Sequence, residues 1–498
     1  MLSCSFKYLR KRGKKMSVLA NCEPKEVFRF FEEISAIPRA SFQTKAISDY
    51  CVRFAKDRKL EVIQDTVNNV IIKKAGTKGY EDLAPVILQG HLDMVCEKTL
   101  DSKHDFDKDG LDLFIEEGFV KAKDTTLGAD NGIAIAYALA ILDSDTIVHP
   151  PLEVLFTIDE ETGMGGASAV DLSLLKGELF INMDSDEEGV ITAGCAGGFR
   201  ASMCLPIERE EKHGTFLEIS LQGLRGGHSG IEIHEQRGNA NKLLARLLNH
   251  MNLHTDIRLV SFEGGTKDNV ITPAATMSIL VQDIVKSREQ IQQLQEVWKA
   301  EFAEAEPTLQ LLINETNESR KVLSKESSDK VIYLLHATPN GVQSMMRSFK
   351  ELVETSLNLG VVSLEEEALH LTFSARSALK SKLELMQETL ETWALHVGAK
   401  MHVSGAYPAW TYKSTSRLRE VAKKSYENLY HEEPIITTIH AGLECGILLD
   451  KRPELDCISF GPNMYDIHSV QERLDIESTK RTWLFLIELL ANCKEMSV

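Results

Sequence analysis

Apolar positions in the first 190 or so residues follow two different spacings. Apolar residues at helical spacing predict helices over 24–37 and 44–59, and a strand pair over 60–74 is joined by a tight turn at Asn68-Asn69. Nearly continuous apolar runs over 85–89, 152–158 and 179–183 are typical of strands buried on both faces of a parallel sheet. Because such strands alternate with helices, this region predicts an α/β domain with a mostly parallel central sheet flanked by helices.

The pattern changes near Gly197, where longer amphipathic helices separate strands that alternate apolar and polar residues. Strands are expected over 215–221, 256–262, 275–281 and 368–375, and helices over 239–253, 289–305 and 379–396. These elements predict an inserted α+β domain with an antiparallel sheet. Helices over 417–430 and 476–493 and a buried strand over 455–460 indicate a return to the first domain. The predicted domains are therefore a disordered basic leader (1–16), a catalytic domain in two parts (17–196 and 407–498) and the insertion (197–406).

Acidic and histidine residues stand where the predicted core elements begin or end. His91 and Asp93 follow the strand over 85–89, and Asp130 lies at the entry of an apolar helix. Glu160 and Glu161 follow the strand over 152–158, and Asp184 follows the strand over 179–183. Ligands bind at the carboxyl ends of the strands in open α/β sheets. Carboxylates crowded at this edge would repel each other unless a cation lay among them.

One imidazole with several carboxylates suits a divalent cation such as zinc, cobalt or manganese. Each residue alone also has a structural interpretation, since a lone Asp before a helix is usually a cap and an acidic run is usually solvated. His468 adds a second imidazole after the strand over 455–460. Two metal ions that share Asp130 would use His91 and Asp184 on one side, and Glu161 and His468 on the other.

The net charge limits the classes of partner that the protein could bind, and the cysteines indicate its compartment. The chain has 56 Lys and Arg against 74 Asp and Glu, a net charge of −18, which argues against a nucleic-acid or anionic-membrane partner. No apolar run is long enough to span a bilayer. The nine cysteines include no CxxC pair, so free thiols in a reducing compartment, and hence a cytoplasmic location, are expected.

Several motifs resemble those of the dinuclear zinc peptidases, a group with carboxypeptidase G-like, aminoacylase-like and carnosinase-like members. They are His91-Leu92-Asp93, Leu127-Gly128-Ala129-Asp130-Asn131-Gly132, Asp159-Glu160-Glu161-Thr162-Gly163 and Asn182-Met183-Asp184-Ser185. The resemblance extends from about residue 24 to the end, and it is closest to the aminoacyl-histidine dipeptidases (peptidase D, or Xaa-His dipeptidase). The further shared stretches are Gly226–Gly230, Ala337–Val342, Glu354–Asn358 and His440–Gly446.

The resemblance implies a role for each matched position. It assigns His91, Asp130, Glu161, Asp184 and His468 as ligands of two divalent metal ions, zinc with cobalt or manganese as alternatives. It makes Glu160 the general base and Asp93 the acid that orients His91, and it places a cis peptide bond after Asp130. It also makes the insertion a lid and dimerisation domain of a homodimer, in which His228 reaches the active site of the partner subunit. Asn269, Arg376 and Glu444 match substrate-binding positions.

The expected reaction is hydrolysis of unblocked dipeptides of the Xaa-His type, such as β-alanyl-histidine. Two metal ions about 3.5–4 Å apart would lower the pKa of a shared water and polarise the substrate carbonyl, with Glu160 carrying the proton. The alternatives are an aminoacylase or tripeptidase of the same superfamily, a catalytically silent binding protein, or a dinuclear phosphoesterase. An intact Glu160 and ligand set argue against a silent protein, and the absence of a basic phosphate pocket argues against a phosphoesterase.

Overall fold

The computed structural model describes residues 17–497, so the predicted leader over 1–16 lies outside the described residues. The chain packs as two compact units. The first unit runs to Ala193 and takes up Lys413–Thr437 and Ile447–Val498, and the second consists of Gly194–Tyr412 and Thr438–Gly446. The segment Thr438–Gly446, which the sequence analysis placed in the catalytic domain, packs with the second unit. Within that unit the Ala196 N–H donates to the Ile439 carbonyl at 3.0 Å.

The first stretch of the first unit alternates strands and helices. The strands are β1 (Glu61–Gln64), β2 (Val70–Lys74), β3 (Val86–His91), β4 (Leu113–Glu116), β5 (Phe119–Ala122), β6 (Leu152–Thr157) and β7 (Leu179–Asn182). The helices are α1 (Lys25–Ser35), α2 (Lys45–Asp57), α3 (Ala129–Asp143) and α4 (Gly165–Ala169). Helix α3 is apolar on every side, and its residues from Asn131 to Leu142 are all buried, as expected for a helix without a solvent face.

The second unit is built on an antiparallel sheet. Its strands follow β8 (Val190–Cys195) and are β9 (Gly197–Pro206), β10 (Arg209–Gln222), β11 (Ile257–Gly264), β12 (Ala275–Val281), β13 (Gln310–Leu323), β14 (Gly341–Met345), β15 (Val353–Leu364), β16 (Ala368–Ser377) and β17 (Lys400–Tyr407). Its helices are α5 (Ala240–His254), α6 (Ile284–Glu301), α7 (Lys325–Ala337) and α8 (Lys380–Val397). The sheet order is β13-β10-β12-β11-β15-β16-β9-β17, with β14 paired to β15.

The rest of the chain adds strands to two sheets, the large sheet of the first unit and a smaller one. It contributes the strands β18 (Ile435–Ile439), β19 (Asp456–Ser459), β20 (Met464–Tyr465) and β21 (Arg473–Asp475), and the helices α9 (Arg417–Tyr430), α10 (Glu444–Lys451) and α11 (Ile476–Asn492). The large sheet has the order β1-β2-β6-β3-β7-β19-β8-β18, and a separate four-stranded sheet has the order β20-β21-β5-β4. The pairs β3–β6, β3–β7 and β7–β19 are parallel, whereas β1–β2 and β2–β6 are antiparallel. The predicted fold class, α/β with an inserted α+β region, is confirmed.

Two smaller features bear on the predictions. The connection between β1 and β2 is not the tight turn expected at Asn68-Asn69 but a longer loop over 65–69. The Asp65 carboxylate accepts the N–H groups of Val67 and Asn69 at 3.0 and 2.8 Å, so a side chain rather than a two-residue turn closes the hairpin. Among the helices that the structure describes, none is long and apolar enough to cross a membrane.

Candidate active site

Three neighbouring parallel strands bring most of the predicted site residues to one edge of the sheet. His91 is the last residue of β3, which lies between β6 and β7. Glu160 and Glu161 come shortly after β6, and Asp184 comes shortly after β7. Because parallel strands end at the same edge, side chains separated widely in sequence converge there.

Asp130 reaches this edge from the first turn of α3. The preceding Gly128 has a φ of 64°, and a Cβ at that position would lie 2.5 Å from Nη2 of the buried Arg39. A side chain at residue 128 is therefore excluded by backbone conformation and by space. The peptide bond between Asp130 and Asn131 is cis, as the resemblance implies. The Asn131 amide accepts the His91 N–H at 3.1 Å and donates to the Met183 carbonyl at 2.7 Å, which ties the turn to the ends of two strands.

Asp130 faces one imidazole with each of its carboxylate oxygens. Its Oδ1 lies 3.2 Å from His91 Nε2, and its Oδ2 lies 3.2 Å from His468 Nε2. The imidazole of His91 is also 3.5 Å from Asp184 Oδ1, and that of His468 is 3.1 Å from Glu161 Oε2. Two groups of potential ligands therefore share Asp130: His91, Asp130 and Asp184, and Asp130, Glu161 and His468.

The electrostatics of the cluster favour positive charge. Burial lowers the pKa of His91, but the carboxylates of Asp184, Asp130 and Asp93 outweigh it and raise the pKa well above its ordinary value. The hydrogen bonds of His468 to Asp130 and Glu161 raise its pKa to about 11. Burial raises the pKa of Asp184, whereas both imidazoles overcome the burial of Asp130 and lower its pKa. Both imidazoles thus hold a proton more tightly than usual because the carboxylates around them outnumber the cations.

The donor set fits divalent metal ions. Four ligand atoms at about 2.0–2.2 Å from a tetrahedral zinc ion stand about 3.4 Å from one another. The distances of 3.1–3.5 Å between the imidazole nitrogens and the carboxylate oxygens of this cluster are close to that value. They are longer than a typical short charged hydrogen bond. Glu161 Oε1 is buried and has no hydrogen-bond partner among the described residues. A buried carboxylate oxygen without a hydrogen-bond partner, on a residue of this cluster, is a suitable ligand atom. Mixed nitrogen and oxygen ligands suit zinc, cobalt and manganese alike.

Asp93 contacts residues of this cluster, and its side chain is fully buried. Its Oδ1 lies 3.4 Å from His91 Nδ1, the position expected of an acid that orients a ligating imidazole. The same carboxylate accepts the backbone N–H groups of Glu160 and Glu161 at 3.1 and 3.3 Å and the Ser41 hydroxyl at 2.8 Å. Asp93 therefore connects His91 with the turn after β6, which the sequence analysis did not predict.

Glu160 and Glu161 occupy different positions although they are adjacent. Both form a potential ligand group with His91, but only Glu161 belongs to the group of Asp130 and His468. Asp159, just before them, has a φ of 54° and accepts the Phe42 N–H at 2.6 Å, so its carboxylate is engaged outside the cluster. Glu160 thus lies beside the cluster, in the group that contains His91 and Glu161.

The second unit contains the other predicted site residues. His228 Nδ1 accepts the N–H groups of Gly230 and Ile231 at 3.3 and 3.1 Å, which leaves the proton of the neutral ring on Nε2. Burial and the charge of Arg376 lower the pKa of His228, and only the more weakly acting Glu232 opposes them. His228 is therefore a neutral imidazole with an Nε2–H donor.

Asn269 and Arg376 line the same cavity of about 470 Å³, together with Arg200, Lys267 and Tyr407. Arg376 Nη1 donates to the Tyr407 hydroxyl at 2.9 Å, while its Nε is buried without a partner among the described residues. Glu444 begins α10, is fully buried and is not among the residues that line this cavity. Four predicted positions lie in this unit. The charge of Arg376 acts on His228, and Arg376 lines one cavity with Asn269, whereas Glu444 does not line it.

Sequence reasoning gave no role to three residues in these two regions. Arg39 and Glu472 are buried beside the turn that bears Asp130, and His440 lies near Arg376 and His228 in the second unit. His440 Nε2 is 2.8 Å from the Ser356 hydroxyl. One available signal was the position of Glu472, an acid four residues after His468. A single acid at that spacing is too common to be informative without the fold.

The chain matches the model of Peptidase family M20/M25/M40 over residues 87–492, and it belongs to that family. This confirms the resemblance inferred from the motifs. The chain is 41% identical over 481 residues to the cytosol non-specific dipeptidase of Escherichia coli, a match that covers 95% of this chain and 99% of that protein.

Two solved structures share the fold of this chain. The crystal structure of aminoacylhistidine dipeptidase from Vibrio alginolyticus superposes with a TM-score of 0.90 at 37% identity, covering 96% of this chain and 98% of that one. Aminopeptidase PepT from Bacillus cereus shares the fold with a TM-score of 0.55 at 16% identity, covering 95% of this chain and 99% of that one.

Proposed function

We propose that this protein is a dinuclear metallodipeptidase that hydrolyses unblocked dipeptides, including those of the Xaa-His type, in the cytoplasm. The observation that carries the proposal is the geometry of Asp130, whose two oxygens each lie 3.2 Å from a different imidazole. The relatives named as a cytosol non-specific dipeptidase and an aminoacylhistidine dipeptidase support the substrate class.

The residues of the first unit divide between binding and proton transfer. His91, Asp130 and Asp184 would hold one metal ion, and Asp130, Glu161 and His468 would hold the other, with zinc as the expected ion and cobalt or manganese as alternatives. When bound, the ions would acidify a water molecule and polarise the scissile carbonyl. Glu160 takes the proton of the attacking water and delivers it to the leaving amine. Asp93 keeps His91 Nδ1 protonated, so that Nε2 faces the cluster.

The residues of the second unit bind the substrate and its transition state. His228 carries its proton on Nε2 and has a lowered pKa, so it offers a neutral donor to the tetrahedral oxyanion. By resemblance, it serves the active site of the partner subunit in a homodimer. Arg376 and Asn269 line one cavity, and the guanidinium pairs with the terminal carboxylate of the dipeptide. Glu444 stays a predicted substrate-binding position.

A dipeptide panel tests the proposal. Metal-loaded protein is incubated with β-alanyl-histidine, alanyl-histidine and alanyl-leucine, with their N-acetylated forms and with matching tripeptides. We expect cleavage of the unblocked dipeptides and its loss after chelation. Cleavage of only the acetylated forms would identify an aminoacylase, and preference for tripeptides a tripeptidase. Metal binding without turnover of any member would identify a silent protein.

A further inference from the structure

Glu472 has a buried carboxylate that receives hydrogen bonds from four consecutive backbone amides. Its Oε2 accepts the N–H groups of Leu127 and Gly128 at 2.7 and 2.8 Å. Its Oε1 accepts those of Ala129 and Asp130 at 2.8 and 3.4 Å. The residue is only 3% exposed, so water does not replace these contacts.

These amides belong to the entry of α3, the turn that presents Asp130. Leu127 and Gly128 precede α3, and Asp130 has non-helical φ and ψ of −78° and 108°, so these amides do not form the first turn of a regular helix. Backbone N–H groups removed from water need an acceptor, and the Glu472 carboxylate is the acceptor for all four. Glu472 thus fixes the backbone on which the shared carboxylate of the proposed metal centre is mounted.

Arg39 donates a hydrogen bond to a backbone carbonyl of the same turn. Its guanidinium donates to the Gly128 carbonyl and, at 3.2 and 3.0 Å, to the carbonyls of Leu92 and Asp93. The turn is therefore held through its N–H groups by Glu472 and through a carbonyl by Arg39. Neither side chain belongs to one of the potential ligand groups among the residues that the structure describes.

Glu472 also belongs to the segment that carries His468. The Glu472 N–H donates to the Ser469 carbonyl at 3.1 Å, which closes a turn directly after His468. On the other side the chain enters β21, where Arg473 pairs with Lys121 of β5. The segment is thus anchored at β21, and it carries both the Glu472 carboxylate and the His468 imidazole.

We propose that Glu472 is a positioning residue of the metal centre, whose buried carboxylate locks the turn bearing Asp130 to the segment bearing His468. The inference rests on the ligand assignment of the proposed function. Asp93 offers a parallel, because its carboxylate connects His91 with the turn bearing Glu160 and Glu161. Both potential ligand groups contain Asp130, but only the group of Asp130, Glu161 and His468 contains both residues that the Glu472 link joins, so we expect the larger effect in that group.

The test is metal binding by Glu472→Gln, with Glu477→Gln as the matched control at an exposed position nearby. Glutamine keeps the shape but presents an NH₂ group to amides that need an acceptor. We expect a 10–100-fold lower affinity for the second metal equivalent, the usual effect of losing an outer partner of a ligand. The absorption bands of the second Co²⁺ equivalent should shift. In excess metal, kcat should recover in part while KM for the dipeptide stays at the parent value.

Glu472→Asp keeps the charge on a shorter stem and should bind the second equivalent with intermediate affinity. It carries the test if the glutamine variant does not fold. Two equivalents bound at parent affinity with unchanged Co²⁺ bands, in whichever variant folds, would overturn the role of Glu472. Parent protein that binds fewer than two equivalents would overturn the dinuclear assignment itself, and the inference with it.

Discussion

The two units place histidine side chains in opposite electrostatic environments. In the first unit, carboxylates surround His91 and His468 and raise the pKa of both imidazoles. In the second unit, burial and the Arg376 charge lower the pKa of His228, and the same causes with His228 lower that of His440 to about 3. The first pair attracts cations, and the second pair stays neutral. The comparison shows that the neighbours of an imidazole, rather than the residue type, decide whether it suits a metal ligand or a hydrogen-bond donor.

The largest expected effect comes from removing the shared acid of the first unit. Asp130→Ala should lose both metal equivalents and all measurable turnover, because both potential ligand groups contain this residue. Elemental analysis after dialysis in metal-buffered solution measures the loss. The exposed Asp145→Ala serves as the control and should keep both equivalents. Full metal occupancy in the Asp130 variant would contradict the role of Asp130 as a shared ligand, and with it the metal-binding character that distinguishes the first unit from the second.

A matched pair of variants separates binding from proton transfer in the first unit. Glu160→Gln should keep its metal content and lose about 10²–10⁴-fold in kcat, the usual contribution of a general base. Glu161→Gln should lose metal, because Glu161 forms a potential ligand group with Asp130 and His468 and contacts the His468 imidazole at 3.1 Å. Metal content and kcat are measured on the same samples. A Glu160 variant with near-normal kcat would remove it as the base.

The neutral donor of the second unit should act on the rate alone. His228→Ala should lower kcat about 10²–10³-fold, as for loss of an oxyanion donor, without changing the metal content. The exposed His234→Ala, six residues along, should retain parent kinetics. Unchanged kinetics in both variants would remove the proposed catalytic role of His228, whereas a loss of metal would contradict its place outside the proposed metal centre.

The smallest effect is a pH dependence of stability that comes from His440. Its pKa of about 3 in the folded protein lies below the roughly 6.5 of an unfolded histidine. The unfolded state therefore binds the proton first, and this residue's contribution to stability is complete above about pH 6.5 and falls toward pH 3.

His440→Gln should remove that dependence, so that the variant loses less stability than the parent as the pH falls. The expected difference between pH 7 and pH 4 is on the order of a few kcal/mol. Urea unfolding of metal-free protein at several pH values measures it, with the exposed His213→Gln as the control. Parallel pH profiles of the His440 variant and the parent would mean that this imidazole is not held neutral by its surroundings.

Much of the fold and of the candidate metal site was predictable because the signals were local. A buried parallel strand has a continuous apolar run, so the residue at which the strand ends can be identified from the sequence. His91, Glu161 and Asp184 could therefore be placed at one edge of the sheet. The strand β13 was missed, because the segment Gln310–Leu323 carries mostly exposed polar residues and its apolar pattern is weak. The contacts of Glu472 and Arg39 with the turn bearing Asp130 were not predictable, since they depend on three-dimensional packing between distant segments.

The distance along the chain between Asp130 and His468 has a consequence for how the protein is made. These residues are 338 positions apart, and the whole of the second unit lies between them in sequence. At about 5–20 residues per second, a ribosome needs roughly 20 to 70 s to pass from one to the other. During that time the nascent chain has its acids but lacks both the last imidazole and Glu472. We therefore expect the second metal ion to be acquired only after synthesis is nearly complete, so that prematurely terminated chains remain inert.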